Sequence, residues 1–345
     1  MNFRRLAAFS ACLSLLFSCS DPELHEAEFF VFGTSVRVSL AGVDQDSANQ
    51  AFSQLQQLLQ TLHRDWHAWE PGKLTRINAA LAEGRASAVD DEMLELIRLS
   101  RIAENATQGR FNPAIGQLVN LWGFHTSDYP ISGPAPGADE ISRLVFQNPS
   151  TKDLLISDGV LTSQNPAVQL DFGGIGKGFA VDLACRLLAD LGVQNAIVNA
   201  GGDLRAFGAH GNRPWKVAVQ NPLGGVVGGL EIVGDESVFT SGNYERYRET
   251  ADQKRFPHIL DPRTGWPATS VMSATVIADA GWRADAAATA IIVAGLVGWS
   301  EIAREMELDK VLITIESGQI YATPAMLERL ELNPGMKPLM LLYDP

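Results

Sequence analysis

Asp171-Phe172-Gly173-Gly174-Ile175-Gly176-Lys177-Gly178 follows an apolar stretch, Ala167 to Leu170, and opens a helical pattern running from about Phe179 to Leu191. Glycines between a strand and a helix leave backbone N–H groups and the positive end of the helix dipole facing outward, which suits a phosphate. The run is not a Walker A loop: no Gly stands five residues before Gly176, and Gly178 follows Lys177 where Ser or Thr is required. Nor is it the dinucleotide fingerprint, because position 179 is Phe. A generic Gly-rich turn explains the glycines alone; the lysine among them points to an anionic ligand.

To either side the pattern mixes strands and helices without repeats. Glu28 to Leu40 alternates as a strand with Gly33-Thr34 inside it, and Asp46 to Leu62 has helical spacing. Asp90 to Thr107 is a second helix, closed by Gly109 as a C-terminal cap. Further strands are expected near Leu154 to Ile156, at Ala196 to Asn199 and at Ser273 to Ile277, with an antiparallel run formed by Trp215 to Gln220 and Leu230 to Phe239. An Ala-rich helix spans Ala284 to Gly295, and Ser127 to Ala138, rich in Pro and Gly, is the clearest loop. Isolated helices among runs of strands predict an α+β fold with mixed or antiparallel sheets and flanking helices, not a doubly wound sheet.

A chain of 345 residues, 46% of them hydrophobic, builds one large domain or two intimate ones. Its formal charge of −13 argues against nucleic acid as a partner, whose footprint is a basic face. Three scattered cysteines make neither a disulfide framework nor a zinc site. Two of them fall in the N-terminal segment, where Arg4-Arg5 and an apolar run from Leu6 to Phe17 form a signal peptide, residues 1–18. Leu16-Phe17-Ser18-Cys19 resembles a bacterial lipobox, so Cys19 is the expected lipidation site, followed by a tether (19–27) and the domain proper (28–345). A soluble periplasmic protein cleaved nearby is the alternative. Cys185 lies on an apolar helical stretch and reads as an inert buried thiol.

Further segments carry chemistry. In His258-Ile259-Leu260-Asp261-Pro262-Arg263-Thr264-Gly265 the Asp-Pro step and Gly265 predict a sharp turn with His258 at the end of a short strand. Read alone, the segment is explained by an ordinary hairpin or loop with a surface His, and the functional reading draws on the other segments. Asp285 and Thr289, four residues apart, present a carboxylate and a hydroxyl on one helix face, hard oxygens that suit Mg²⁺ completed by waters and phosphates; helix capping and back-bonding are the alternative. Asn199-Ala200-Gly201-Gly202-Asp203, Thr240-Ser241-Gly242-Asn243-Tyr244 and Gly109-Arg110-Phe111-Asn112-Pro113 place glycines beside side-chain donors, and Trp69 and Trp122 offer flat surfaces for an aromatic ligand.

In this succession the segments resemble the ApbE-like FAD:protein FMN transferases, from about Phe32-Gly33-Thr34 to the helix containing Thr289. The resemblance implies an ApbE-like, T-fold-related architecture and an enzyme, a periplasmic flavoprotein transferase. It would bind FAD with Mg²⁺ at the pyrophosphate, move FMN to a Ser or Thr hydroxyl of a partner protein, and release AMP. It assigns the metal to Asp285 and Thr289 with backbone oxygens from Gly174 and Ala288. FAD falls to Phe32, Trp69, Arg110, Phe111, Asn112, Asp171, Lys177, Ile259 and Leu260. His258 becomes the general base or the residue that positions the hydroxyl, with an imidazole near its ordinary pKa. The implied acceptor is a subunit of a membrane redox complex, reached from a lipid anchor at the periplasmic membrane face. Two other readings use the same residues: an Mg²⁺-dependent FAD pyrophosphatase releasing FMN and AMP, and a non-catalytic FAD-binding lipoprotein.

Overall fold

The computed structural model of the chain describes residues 23–341; the signal segment and Cys19 lie outside them. Nine strands form one sheet in which spatial neighbours follow chain order: Leu24–Val31 (β1), Thr34–Ala41 (β2), Ala196–Ala200 (β3), Asp203–Phe207 (β4), Asp235–Gly242 (β5), Ser273–Ala278 (β6), Lys310–Thr314 (β7), Ile320–Ala322 (β8) and Leu339–Met340 (β9). Every adjacent pair is antiparallel except β8 with β9. The fold is α+β, as the mixed pattern predicts.

Side chains alternate between two cores. Val36, Val38 and Leu40 of β2, Val198 of β3 and Val276 of β6 face the helices. Leu204 and Ala206 of β4, Val238 of β5 and Leu312 of β7 face the opposite side, covered by a three-stranded sheet of Lys216–Gln220, Val226–Glu231 and Leu330–Leu332. Burial on both faces is why these strands lack a clean polar alternation in sequence. The helical layer comprises Gln45–Asp65 (α1), Asp91–Ala106 (α2), Gly176–Asp190 (α3) and Gly281–Glu305 (α4).

Where α3 crosses α4 the backbones nearly touch: a Cβ on Gly178 would collide with the Gly281 carbonyl and the Asp285 side chain. The crossing is also locked by exchange of caps. Asp285 of α4 accepts the Gly178 N–H of α3 at 2.9 Å, and Asp182 of α3 accepts the Gly281 and Trp282 N–H groups of α4 at 2.8 and 3.0 Å. Each aspartate satisfies N–H groups that its neighbour's first turn leaves without partners.

Several sequence expectations change. Glu28 to Leu40 is a hairpin, turning at Phe32 (φ 55°) and Gly33 (φ 71°). Two consecutive positive φ values give the turn a twist matching that of its strands. Leu24–Ala27, expected in the tether, already pair with β2. Leu230 to Phe239 splits at Gly234, whose positive φ sends the chain from the small sheet into β5. Ala167 to Leu170 is extended but joins no multi-residue ladder: Gln169 bridges Ile115, and the Asn78 amide serves both the N–H and the carbonyl of Leu170. The α3 helix begins at Gly176, so Lys177 lies in its first turn, and α4 runs past a kink at Gly295 to Glu305.

Candidate functional site

A cavity of about 350 Å³ opens where the N-terminus of α3, the C-terminal end of β5 and the β1–β2 hairpin tip converge. Its wall includes the glycine-rich run, Thr240-Ser241-Gly242, the Arg110–Pro113 segment, His258 with Ile259 and Leu260, and Asp285 with Thr289. Residues separated by up to 257 positions thus meet at one place, from Phe32 to Thr289.

At one end the chemistry is ionic. The Lys177 ammonium pairs with the buried Asp203 carboxylate, whose other oxygen accepts the Thr240 N–H at 2.8 Å. Burial opposes the lysine's charge, but Asp203 and Asp285 together hold its pKa above the usual lysine value. Asp285 is only 4% exposed. Its Oδ2 takes the Gly178 N–H, while Oδ1 has no hydrogen bond among the described residues. Burial pushes this carboxyl up to about 7 against the pull of Lys177, and neighbouring Asp203 adds to the rise. Two carboxylates, Asp203 and Asp285, therefore share one lysine. Thr289 Oγ1 stands 3.1 Å from Ser241 Oγ, and a Cβ on Gly174 would touch it. A buried carboxylate and a hydroxyl beside the glycine-rich loop fit a hard divalent cation that keeps waters and phosphates in its shell. Among the described residues no cluster of three His, Cys, Asp or Glu side chains offers an all-side-chain metal cage.

At the other end the walls are aromatic. Trp69, 39% exposed, is stacked on His125 at 5.3 Å and 17°, with His67 edge-on at 4.3 Å. His125 Nε2 is fixed by Asp171 Oδ2 at 3.0 Å, and Asp171 Oδ1 accepts the Gly173 N–H. Phe32 at the hairpin tip donates its N–H to His63 Nδ1 at 3.2 Å. Beside them the half-buried His258 lies within 3.3 Å of the Arg246 carbonyl through Nδ1. Nδ1 therefore carries the hydrogen, leaving the Nε2 lone pair free. Burial first, then the Arg246 guanidinium, takes His258 down to about 4. The expectation of an unperturbed imidazole is overturned: the ring is neutral throughout the physiological range because a cation crowds it in a desolvated pocket.

Other expected residues serve the site indirectly. The Arg110 guanidinium turns to Glu301 of α4 at 3.0 Å, and both ends of the Asn112 amide are tied to the loop, at Pro149 and Ala114. Ala288, next to Thr289 on α4, is fully buried and does not line the cavity. Trp122 is core: its indole N–H donates to the Gly265 carbonyl at 2.9 Å and pins the turn that follows His258. Sequence reasoning missed His67, His125, Tyr129 and Arg246. Arg246 lies two residues beyond the Thr240–Tyr244 motif and His125 three beyond Trp122, so the flanks of the segments already singled out were the available signal.

A larger cleft, about 760 Å³, lies between α2, α3 and the two ends of α4. Three of its arginines are already paired: Arg98 with Glu95, Arg205 with Asp182 and Asp235, and Arg283 with Asp279 and Glu307. It holds none of the convergent motifs, and the smaller cavity, which gathers them, is the candidate site.

Aromatic walls at one end and a lysine, a helix N-terminus and a cation-seeking carboxylate at the other define a site for an aromatic nucleotide held by its phosphates. The ApbE family model matches residues 32–312, and the chain belongs to the ApbE family. The FAD:protein FMN transferase of Rhodobacter capsulatus is 42% identical over 315 residues, 91% of this chain and 60% of that protein. One from Klebsiella pneumoniae (strain 342) is 31% identical over 342 residues, 94% of this chain and 95% of that protein. The crystal structure of the ApbE protein of Thermotoga maritima superposes with a TM-score of 0.80 at 30% identity, covering 90% of this chain and 100% of that one.

Proposed function

We propose that the chain is a FAD:protein FMN transferase that works with Mg²⁺ at Asp285, Thr289 and the Gly174 carbonyl. The observation that carries this reading is the meeting of Lys177, Asp285 and Thr289 with a neutral His258 in one aromatic-walled cavity. FAD is the substrate. A Ser or Thr hydroxyl of the acceptor attacks the FMN phosphorus, a new P–O bond forms, the anhydride bond breaks, and AMP leaves with the bridging oxygen. The hydroxyl proton passes to His258 Nε2; phosphate charge beside the ring raises its proton affinity from the low value of the empty pocket. Lys177, in the first turn of α3, holds phosphate oxygens, and Trp69 and Phe32 flank the aromatic part of FAD. Bound Mg²⁺ supplies the charge neutralisation that phosphoryl transfer chiefly requires.

The acceptor is a subunit of a periplasmic-facing membrane redox complex, and residues 1–18 direct export before Cys19 takes a lipid. Only four residues separate Cys19 from β1, a reach of roughly 15 Å, so the anchor holds the domain against the bilayer. Purified chain incubated with FAD, Mg²⁺ and candidate acceptor subunits is expected to add the mass of FMN to an acceptor and release AMP in equal amount. Release of FMN with AMP and no acceptor mass gain would show a pyrophosphatase instead, and FAD recovered intact with every acceptor would leave only a binding protein.

A further inference from the structure

We propose that the Arg246 guanidinium grips the FMN phosphate, the group that is transferred. The inference rests on the transferase reading and adds a residue to it. Arg246 follows β5 and stands opposite His258: the His258 N–H donates to the Arg246 carbonyl at 3.0 Å, one step beyond the Tyr247–Pro257 pair of an antiparallel ribbon. Residues directly opposite in such a ribbon send their side chains to the same face, with Cβ atoms about 5 Å apart. Both side chains line the cavity.

Of the three Lys and Arg residues on its wall, Arg110 and Lys177 each have a carboxylate partner, Glu301 and Asp203. Arg246 has no carboxylate partner among the described residues; its one contact is a place 5.9 Å from the Tyr129 ring centroid. A planar fork of donors left without an anion, beside the imidazole that receives the hydroxyl proton, matches two non-bridging oxygens of one phosphate. Its charge is felt at His258 and at Lys177, both of which line the same cavity. During transfer the hydroxyl oxygen bonds to phosphorus as the bond to AMP breaks, and the guanidinium stays on the oxygens that carry the charge throughout.

The test compares FMN with riboflavin, which lacks only the phosphate, by fluorescence titration of the full chain and of Arg246→Gln and Arg246→Lys. FMN affinity is expected to fall roughly 10- to 100-fold in Arg246→Gln and less in Arg246→Lys, with riboflavin affinity unchanged. Equal FMN affinity in wild type and Arg246→Gln would overturn the assignment, and so would an equal loss for riboflavin. Single-turnover transfer at saturating FAD should fall about 10²-fold in Arg246→Gln; an unchanged rate overturns it. A wild-type chain that binds FMN but transfers nothing defeats the transferase reading, while the FMN-to-riboflavin comparison still decides Arg246.

Discussion

Asp182 and Asp285 occupy matched positions on crossing helices, each buried and each capping the first turn of the other's helix, yet they have opposite surroundings. Asp182 faces the larger cleft and is paired with Arg205, itself shared with Asp235. Asp285 faces the smaller cavity, has no arginine, and competes with Asp203 for Lys177. Burial raises both carboxyls, and Asp285 reaches about 7. A buried carboxylate with its own guanidinium is a joint in the fold; the same group without one, sharing Lys177 with a second carboxylate, is the one we propose for the cation.

Exchanging the two roles by mutation is the sharpest way to break this comparison. Asp285→Ala is expected to reduce metal-dependent FMN transfer by roughly 10³-fold, with the circular dichroism spectrum and cooperative unfolding retained. Normal turnover by the folded variant would remove Asp285 from the metal site. Asp182→Ala should do the reverse. It strips two caps and leaves Arg205 with one partner, costing about 3–5 kcal/mol in urea unfolding, while the folded fraction keeps its transfer rate. His258→Ala comes next, slowing single-turnover transfer about 10²-fold or more with FAD affinity within a factor of a few.

The smallest effect is on stability against pH. Because His258 titrates near 4 in the fold and near 6.5 when unfolded, the unfolded chain binds the extra proton between those values. Its contribution to stability is complete above about pH 6.5 and is lost as the pH falls toward 4. Unfolding midpoints of wild type should drop through that window more than those of His258→Gln; identical slopes would show that the ring is not desolvated.

Much of this was legible because it is local. Glycines around Lys177, the Asp-Pro turn with Gly265, and the four-residue spacing of Asp285 and Thr289 each state their backbone geometry or shared face within a few residues. Asp90 and Asp44 cap their helices as residues of their type do. What was not legible depends on partners far away in sequence. Arg110 and Asn112 line the cavity, but their links to Glu301 and Pro149 could not be read from their own segment, and Trp122 looks like a platform until Gly265 and the core enclose it. Arg246 became visible only when its neighbours proved to be paired elsewhere. The break at Gly234 was missed because two strands of different sheets abut there with nothing but a turn between them.

The sequence by itself determined the α+β class, the order of the motifs and hence the family, because these rest on periodicity, turn chemistry and residue type. Only the tertiary structure decided which charges are free. Whether a carboxylate, a guanidinium or an imidazole acts on a ligand depends on what lies within a few ångströms and how much water is excluded; at Asp285 those neighbours come from distant parts of the chain, and at His258 and Arg246 they come from across a ribbon and from the walls it packs against.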